Sequence, residues 1–197
     1  MKQWQETEFF QNTTWYHATT RDSAINIIKK GVCATINKGT ELDFGYGFYV
    51  TPNKEWAHNY LVNQLLVSDE DNVIEPDDGY VLQFEFDPAK YIRQYKIKFI
   101  DKLDTKFAKY VYFNRMHPHL SYILSHYDMM GGPMSDGKQL DDFTNYKLGR
   151  ITKGELFDEL LKPKEDWQLV LRNQAICDTL RVRKAFNTKG EETDEIF

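Results

Sequence analysis

Trp15-Tyr16-His17-Ala18-Thr19 and Asp43-Phe44-Gly45-Tyr46-Gly47-Phe48-Tyr49-Val50-Thr51 decide how this chain reads. The first closes an aromatic, threonine-rich run, Phe9 to Thr19, suited to a strand. The second is a glycine-bearing turn that feeds a short strand, Gly47 to Val50. Two aromatic and polar anchors this close together near the start of a small domain suggest a slot for a flat ligand.

Working outward, Thr20 caps a helix from Arg21 to Lys30, with Ala24, Ile25 and Ile28 as its apolar stripe and Gly31 as its stop. Thr51-Pro52 reads as a cap with proline at the first helical position, opening a helix to about Leu66. Trp56, Ala57, Tyr60, Leu61 and Leu65 form its apolar face. Ser68 to Asp78 is an acidic loop. Gly79 to Asp87 alternates: Tyr80, Leu82, Phe84 and Phe86 face one way, Gln83, Glu85 and Asp87 the other, which is the pattern of a half-buried strand. Asp104 to Arg115 and Pro118 to His126 read as helices, and Tyr127 to Met130 as a strand entering a turn at Gly131-Gly132-Pro133. Thr152 and Glu155 make a capping box for a helix to Leu161. Trp167 to Arg172 is a strand, Asn173 caps a helix to about Leu180, and Val182 to Phe186 is the final strand. Lys189 to Phe197 reads as a frayed acidic tail. Strands and helices do not alternate in βαβ fashion, so the expected class is α+β with mostly antiparallel strands.

The chain has 197 residues, of which 41% are hydrophobic and 15% aromatic, enough for one domain with a substantial core (about 9–187). A net charge of −5 argues against an extended nucleic-acid surface. Cys33 and Cys177 show no metal-ligand spacing; they could form one disulfide, and the favoured reading is two buried free thiols of a reducing compartment. His117, His119 and His126 read as a solvated turn, so no metal is expected. No leader-like segment opens the chain and no apolar run approaches the ~20 residues that span a bilayer. The expectation is a cytoplasmic protein without membrane contact.

Tyr49 and Tyr60 stand at the end of a strand and on the helix after it. A helix folding back beside that strand could bring the two rings face to face, but periodicity alone favours Tyr60 as a core residue with Trp56 and Leu61. Tyr16-His17, Gly47-Phe48-Tyr49-Val50-Thr51 and His58-Asn59-Tyr60 together resemble the nicotinamide pocket of the diphtheria-toxin and poly(ADP-ribose) polymerase class of ADP-ribosyltransferases. That class carries a histidine, a tyrosine and a glutamate at three strand positions and a second tyrosine on the helix. Trp167 to Ile176 is similar to its third element, with Gln168 in the glutamate place. The chain more closely resembles uncharacterised bacterial members with Asp-Phe-Gly-x-Gly-Phe-Tyr, matched by Asp43 to Tyr49, and Tyr-Asp-x-x-x-Gly-Pro, matched by Tyr127 to Pro133 and followed by Asp136-Gly137.

The resemblance implies an ADP-ribosyltransferase-like split β-sheet core with flanking helices, spanning Trp15 to Phe186. It implies NAD as substrate and transfer of a single ADP-ribose to an unknown macromolecular acceptor, protein or nucleic acid, by a bacterial toxin or conflict effector with an antitoxin partner. In that family pattern His17 hydrogen-bonds a ribose hydroxyl, the backbone of Ala18 holds the carboxamide, Tyr49 and Tyr60 sandwich the ring, and Gln168 orients the ribose. Ala18 replaces the usual glycine and is tolerated at negative φ. Arg21 and Arg150 are candidate pyrophosphate contacts.

Gln168 departs from the pattern in chemistry. An amide orients a hydroxyl but lacks the charge that favours the oxocarbenium-like state, a loss on the order of 3 kcal/mol or a hundredfold in rate. The outcomes are slow transfer, activity supported by a nearby acid such as Asp166 or Asp128, or an NAD-binding sensor or partner-recognition domain without turnover.

Overall fold

The computed structural model describes residues 8–66, 74–135, 138–163 and 166–197, with the backbone alone for 138–141. Glu8–Gln11 (α1) is one helical turn, and β1 (Thr14–Thr20) follows it. The strand therefore begins later than Phe9. Adjacent rings in a strand face opposite ways, whereas the turn lets Phe9 and Phe10 pack on the same ring, Phe99, at 5.4 and 5.1 Å.

Arg21–Lys30 (α2) ends where Gly31, at φ +84°, donates its N–H back to Ile27. β2 (Phe48–Val50) precedes α3 (Lys54–Tyr60), which continues as a π-helical turn over Leu61–Leu65. The cap of α3 is Asn53, whose side chain accepts the Trp56 N–H, not Thr51. Thr51 stays extended because it exchanges two backbone hydrogen bonds with Tyr16, at 2.8 and 2.9 Å. β3 (Gly79–Glu85) and β4 (Ile97–Phe99) lead to α4 (Thr105–Met116), capped by Asp104, and α5 (Pro118–Leu124).

Next comes β5 (Met129–Pro133). Gly131-Gly132-Pro133 is thus strand, not turn. A Cβ on Gly131 would meet Phe9 and Phe99 at 2.8 and 2.9 Å, and one on Gly132 would meet Phe44 at 2.8 Å. These glycines make room for rings rather than for a reversal. α6 (Lys138–Lys147) and α7 (Lys153–Leu160) follow, the latter with both halves of the Thr152–Glu155 capping box in place. β6 (Trp167–Leu171) is followed by α8 (Gln174–Cys177), shorter than the periodicity suggests, then by β7 (Val182–Phe186) and β8 (Glu192–Thr193). The acidic tail is not frayed, since β8 pairs with β7 and Ile196 is buried.

The class is α+β. Two four-stranded sheets, ordered β1-β3-β7-β8 and β2-β6-β5-β4, are antiparallel apart from the β4–β5 pair. Their facing sides share one core: Trp15, Tyr80, Leu82 and Phe84 from the first sheet meet Phe48, Leu169 and Leu171 from the second. α3 covers the back of the first sheet through Ala57, Leu61, Val81 and Phe186. α4, α6 and α7 cover the back of the second through Phe107, Val111, Phe143, Leu156 and Leu160 against Val170. The sheets touch edge to edge at the Tyr16–Thr51 bridge. Among the described residues no helix is long and apolar enough to cross a membrane.

Candidate active site

A cavity of about 580 Å³ opens where the two sheets part. That volume lies in the range of sites that take a small ligand. β1 supplies His17 and Ala18, β2 supplies Tyr49, α3 supplies Trp56 and Tyr60, and β6 supplies Gln168. Backbone alternation explains one wall. The Tyr16 N–H and C=O turn away from β3 to meet Thr51. Residue i+2 repeats that orientation, so the N–H and C=O of Ala18 face the same edge, past the end of the bridge and toward the cavity. Ala18 has negative φ, as required of a non-glycine residue here.

His17 links the two sheets. Its Nδ1–H donates to the Tyr49 carbonyl oxygen at 2.8 Å, and its ring packs on Phe48 at 4.3 Å. Burial lowers its pKa to about 4, opposed in part by that hydrogen bond. The ring is therefore neutral near pH 7, and with Nδ1 carrying the proton, Nε2 is an acceptor. The Tyr49 hydroxyl donates to the Gly45 carbonyl at 2.5 Å and accepts the Phe44 N–H at 3.2 Å, which fixes the ring from the preceding loop. Asn37 clamps both backbone polar groups of Gly47, at 2.7 and 2.8 Å. Tyr60 stacks on Trp56, centroids 5.3 Å apart and planes 15° apart, so the helix presents a pair of rings to the cavity. At the rim, the exposed Cys33 thiol is lowered, chiefly by a hydrogen bond from the Thr35 backbone.

Gln168 lies at the floor, 2% exposed, opposite Gly132 in the β5–β6 ladder. Beside it is a second cavity residue, Asp43, also 2% exposed. One Asp43 carboxylate oxygen accepts from Arg115 Nε at 2.6 Å, while the other accepts the Ser135 N–H at 2.7 Å and faces Gln168 Nε2 at 3.4 Å. The Asp43 carbonyl accepts from Asn114 at 2.9 Å. Asp43 is held at both ends inside the protein.

A family model described as "Protein of unknown function (DUF3990)" matches residues 15–182. The chain belongs to the DUF3990 family. No curated protein and no solved structure matches the chain. Within this DUF3990 chain, the cavity residues from Tyr16 to Gln168 all fall inside the matched span, whereas β8 falls outside it.

His17, Ala18, Tyr49, Tyr60 and Gln168 all border this one cavity. Other candidates do not. Asp166 engages Asn53 at 2.9 Å, and Asp128 engages the Lys96 N–H and Asn173 at 2.9 and 2.8 Å, away from the cavity. Arg21, which pairs with Asp77, and Arg150, which bonds Asn145, do not line it; among the described residues the lining cation is Lys30. Cys33 is exposed, not buried, while the buried Cys177 thiol is pushed up to about 12 by desolvation. Asp136 and Gly137 lie outside the described residues, as does Ser68 to Val73 of the acidic loop. The buried charged cavity residue that the sequence reading does not single out is Asp43. It opens the Asp-Phe-Gly-x-Gly motif, but its partners Arg115 and Ser135 are distant in the chain.

Proposed function

We propose that this DUF3990 protein binds NAD in the cavity between its sheets and transfers one ADP-ribose from it to a macromolecular acceptor, protein or nucleic acid. Action as a bacterial toxin or conflict effector in the cytoplasm, with an antitoxin partner, belongs to the same reading. The observation that supports it is the convergence of His17, Ala18, Tyr49, Tyr60 and Gln168, from four separate elements, on one cavity.

The nicotinamide ring lies between Tyr49 and Tyr60, with its carboxamide on the open backbone edge of Ala18. His17 Nε2 accepts one ribose hydroxyl and Gln168 orients the other. Holding ring and sugar in this way lowers the entropic part of the barrier. The bond between the ribose C1′ and the ring nitrogen then breaks, its electron pair leaving with neutral nicotinamide. The cationic sugar accepts a lone pair from the acceptor, whose proton passes to solvent.

Incubation with NAD labelled in the adenylate half and cell lysate is expected to label macromolecules and release nicotinamide. Absence of both refutes the transferase. The uncharged Gln168 favours a second reading, an NAD sensor or partner-recognition domain of the same fold. NAD binding by calorimetry without nicotinamide release selects it.

A further inference from the structure

Resting on the reading of the cavity as an NAD site, we propose that Asp43 is a positioning residue. It fixes the amide of Gln168 with its carbonyl oxygen toward the ribose and, through its carboxylate on the amide nitrogen, makes that oxygen a stronger acceptor. The two side chains together do the work of one carboxylate.

The geometry of the amide carries the argument. Gln168 Nε2 stands 3.4 Å from an Asp43 carboxylate oxygen and 3.4 Å from the Pro133 carbonyl. Both neighbours are acceptors only. Rotating the amide by half a turn would set oxygen against oxygen on both sides, so the nitrogen must face inward. Gln168 Oε1 is then the atom left for the cavity, an acceptor aimed where a ribose hydroxyl would donate.

Asp43 itself cannot turn away. Arg115 Nε holds one oxygen at 2.6 Å and the Ser135 N–H holds the other at 2.7 Å, so the ion pair directs its negative end toward Gln168. Both charged side chains are nearly inaccessible, at 3% and 1% exposure. A buried pair of this kind contributes little to stability compared with apolar packing, so its presence at a cavity floor is better explained by the site. It also sets the expected effect of restoring a glutamate at position 168. Glutamate at position 168 would set a second carboxylate against Asp43 Oδ2 and the Pro133 carbonyl. The pocket accommodates one anionic side chain at this point, and it is Asp43.

The test compares Asp43→Asn, Gln168→Glu and the exchange Asp43→Asn with Gln168→Glu against the wild-type full chain. Calorimetric affinities for NAD and for nicotinamide are the readouts, since nicotinamide reports the ring slot and NAD reports the sugar as well. Each single variant is expected to lose at least tenfold in NAD affinity with nicotinamide affinity unchanged. The exchange is expected to recover at least tenfold over either single variant. A purely structural Asp43 would lose both affinities together, without rescue, and would overturn the proposal. So would an Asp43→Asn variant that binds NAD like wild type. Gln168→Glu leaves the Asp43–Arg115 pair intact and keeps the test open if Asp43→Asn does not fold: a gain in NAD affinity there refutes the assignment. Failure of the NAD reading looks different, because wild type itself would then bind neither NAD nor nicotinamide.

Discussion

Beside its carboxylates, His17 should make this fold sensitive to acid. Burial lowers its pKa from the ordinary 6.5 to about 4. The unfolded chain therefore takes up this proton first as pH falls. The stabilising contribution of neutral His17 is fully present above pH 6.5 and is lost progressively as pH drops from 6.5 toward 4. The full difference of about 2.5 pH units corresponds to about 3 kcal/mol, a ceiling because solvent in the cavity still reaches the ring. Between pH 7.5 and pH 5 the loss comes to about 2 kcal/mol. The assay is urea unfolding at those two pH values for wild type and His17→Gln, the variant removing the contribution of the carboxylates from the comparison. Wild type should lose about 2 kcal/mol more than the variant. Equal losses, or a larger loss in the variant, would refute a neutral, partly buried His17. The same protonation state bears on the ligand: a neutral His17 makes NAD affinity flat from pH 6 to 8, and a titration centred near 6.5 would contradict it.

Two further outcomes follow from the site. At neutral pH iodoacetamide should modify Cys33 and spare Cys177, whose thiol is buried and raised to about 12. NAD at about ten times its Kd should slow Cys33 modification roughly tenfold, followed by mass spectrometry. Gly47→Ala should cost about 2–4 kcal/mol in urea unfolding, because its φ of +142° is strained for any other residue and a Cβ would lie 2.4 Å from Val170 Cγ1.

Several elements were legible because they depend on neighbours in sequence. The alternation of Tyr80, Leu82 and Phe84 marked β3, and the Thr152–Glu155 spacing marked the start of α7. His17, Tyr49, Tyr60 and Gln168 stand out together through the resemblance of their motifs to a nicotinamide pocket; periodicity alone leaves Tyr60 as a core residue with Trp56 and Leu61. What escaped depends on distant contacts. Gly131 and Gly132 normally signal a turn, yet they lie in β5 because Phe9, Phe44 and Phe99 press on them from elsewhere in the chain. β8 has only two residues, too few to show an alternation, and exists through its pairing with β7. Thr51 is a sound helix cap by composition, but its backbone is already committed to Tyr16.

Asp43 belongs to the same class of omission, and its position ties the two ends of the proposed ligand together. The loop that carries its carboxylate to Gln168 also carries Phe44 and Gly45, whose N–H and carbonyl hold the Tyr49 hydroxyl. Ring slot and sugar end are thus set by adjacent residues of one loop through different atoms: backbone for the ring, side chain for the sugar. Backbone strain in this loop, as in Gly47→Ala, should therefore disturb nicotinamide and NAD alike. A change confined to the Asp43 carboxylate leaves the backbone contacts to Tyr49 in place and should be felt by NAD alone. On that proposal the departure at position 168 is local: a carboxylate stands 3.4 Å behind that side chain, held in place by Arg115.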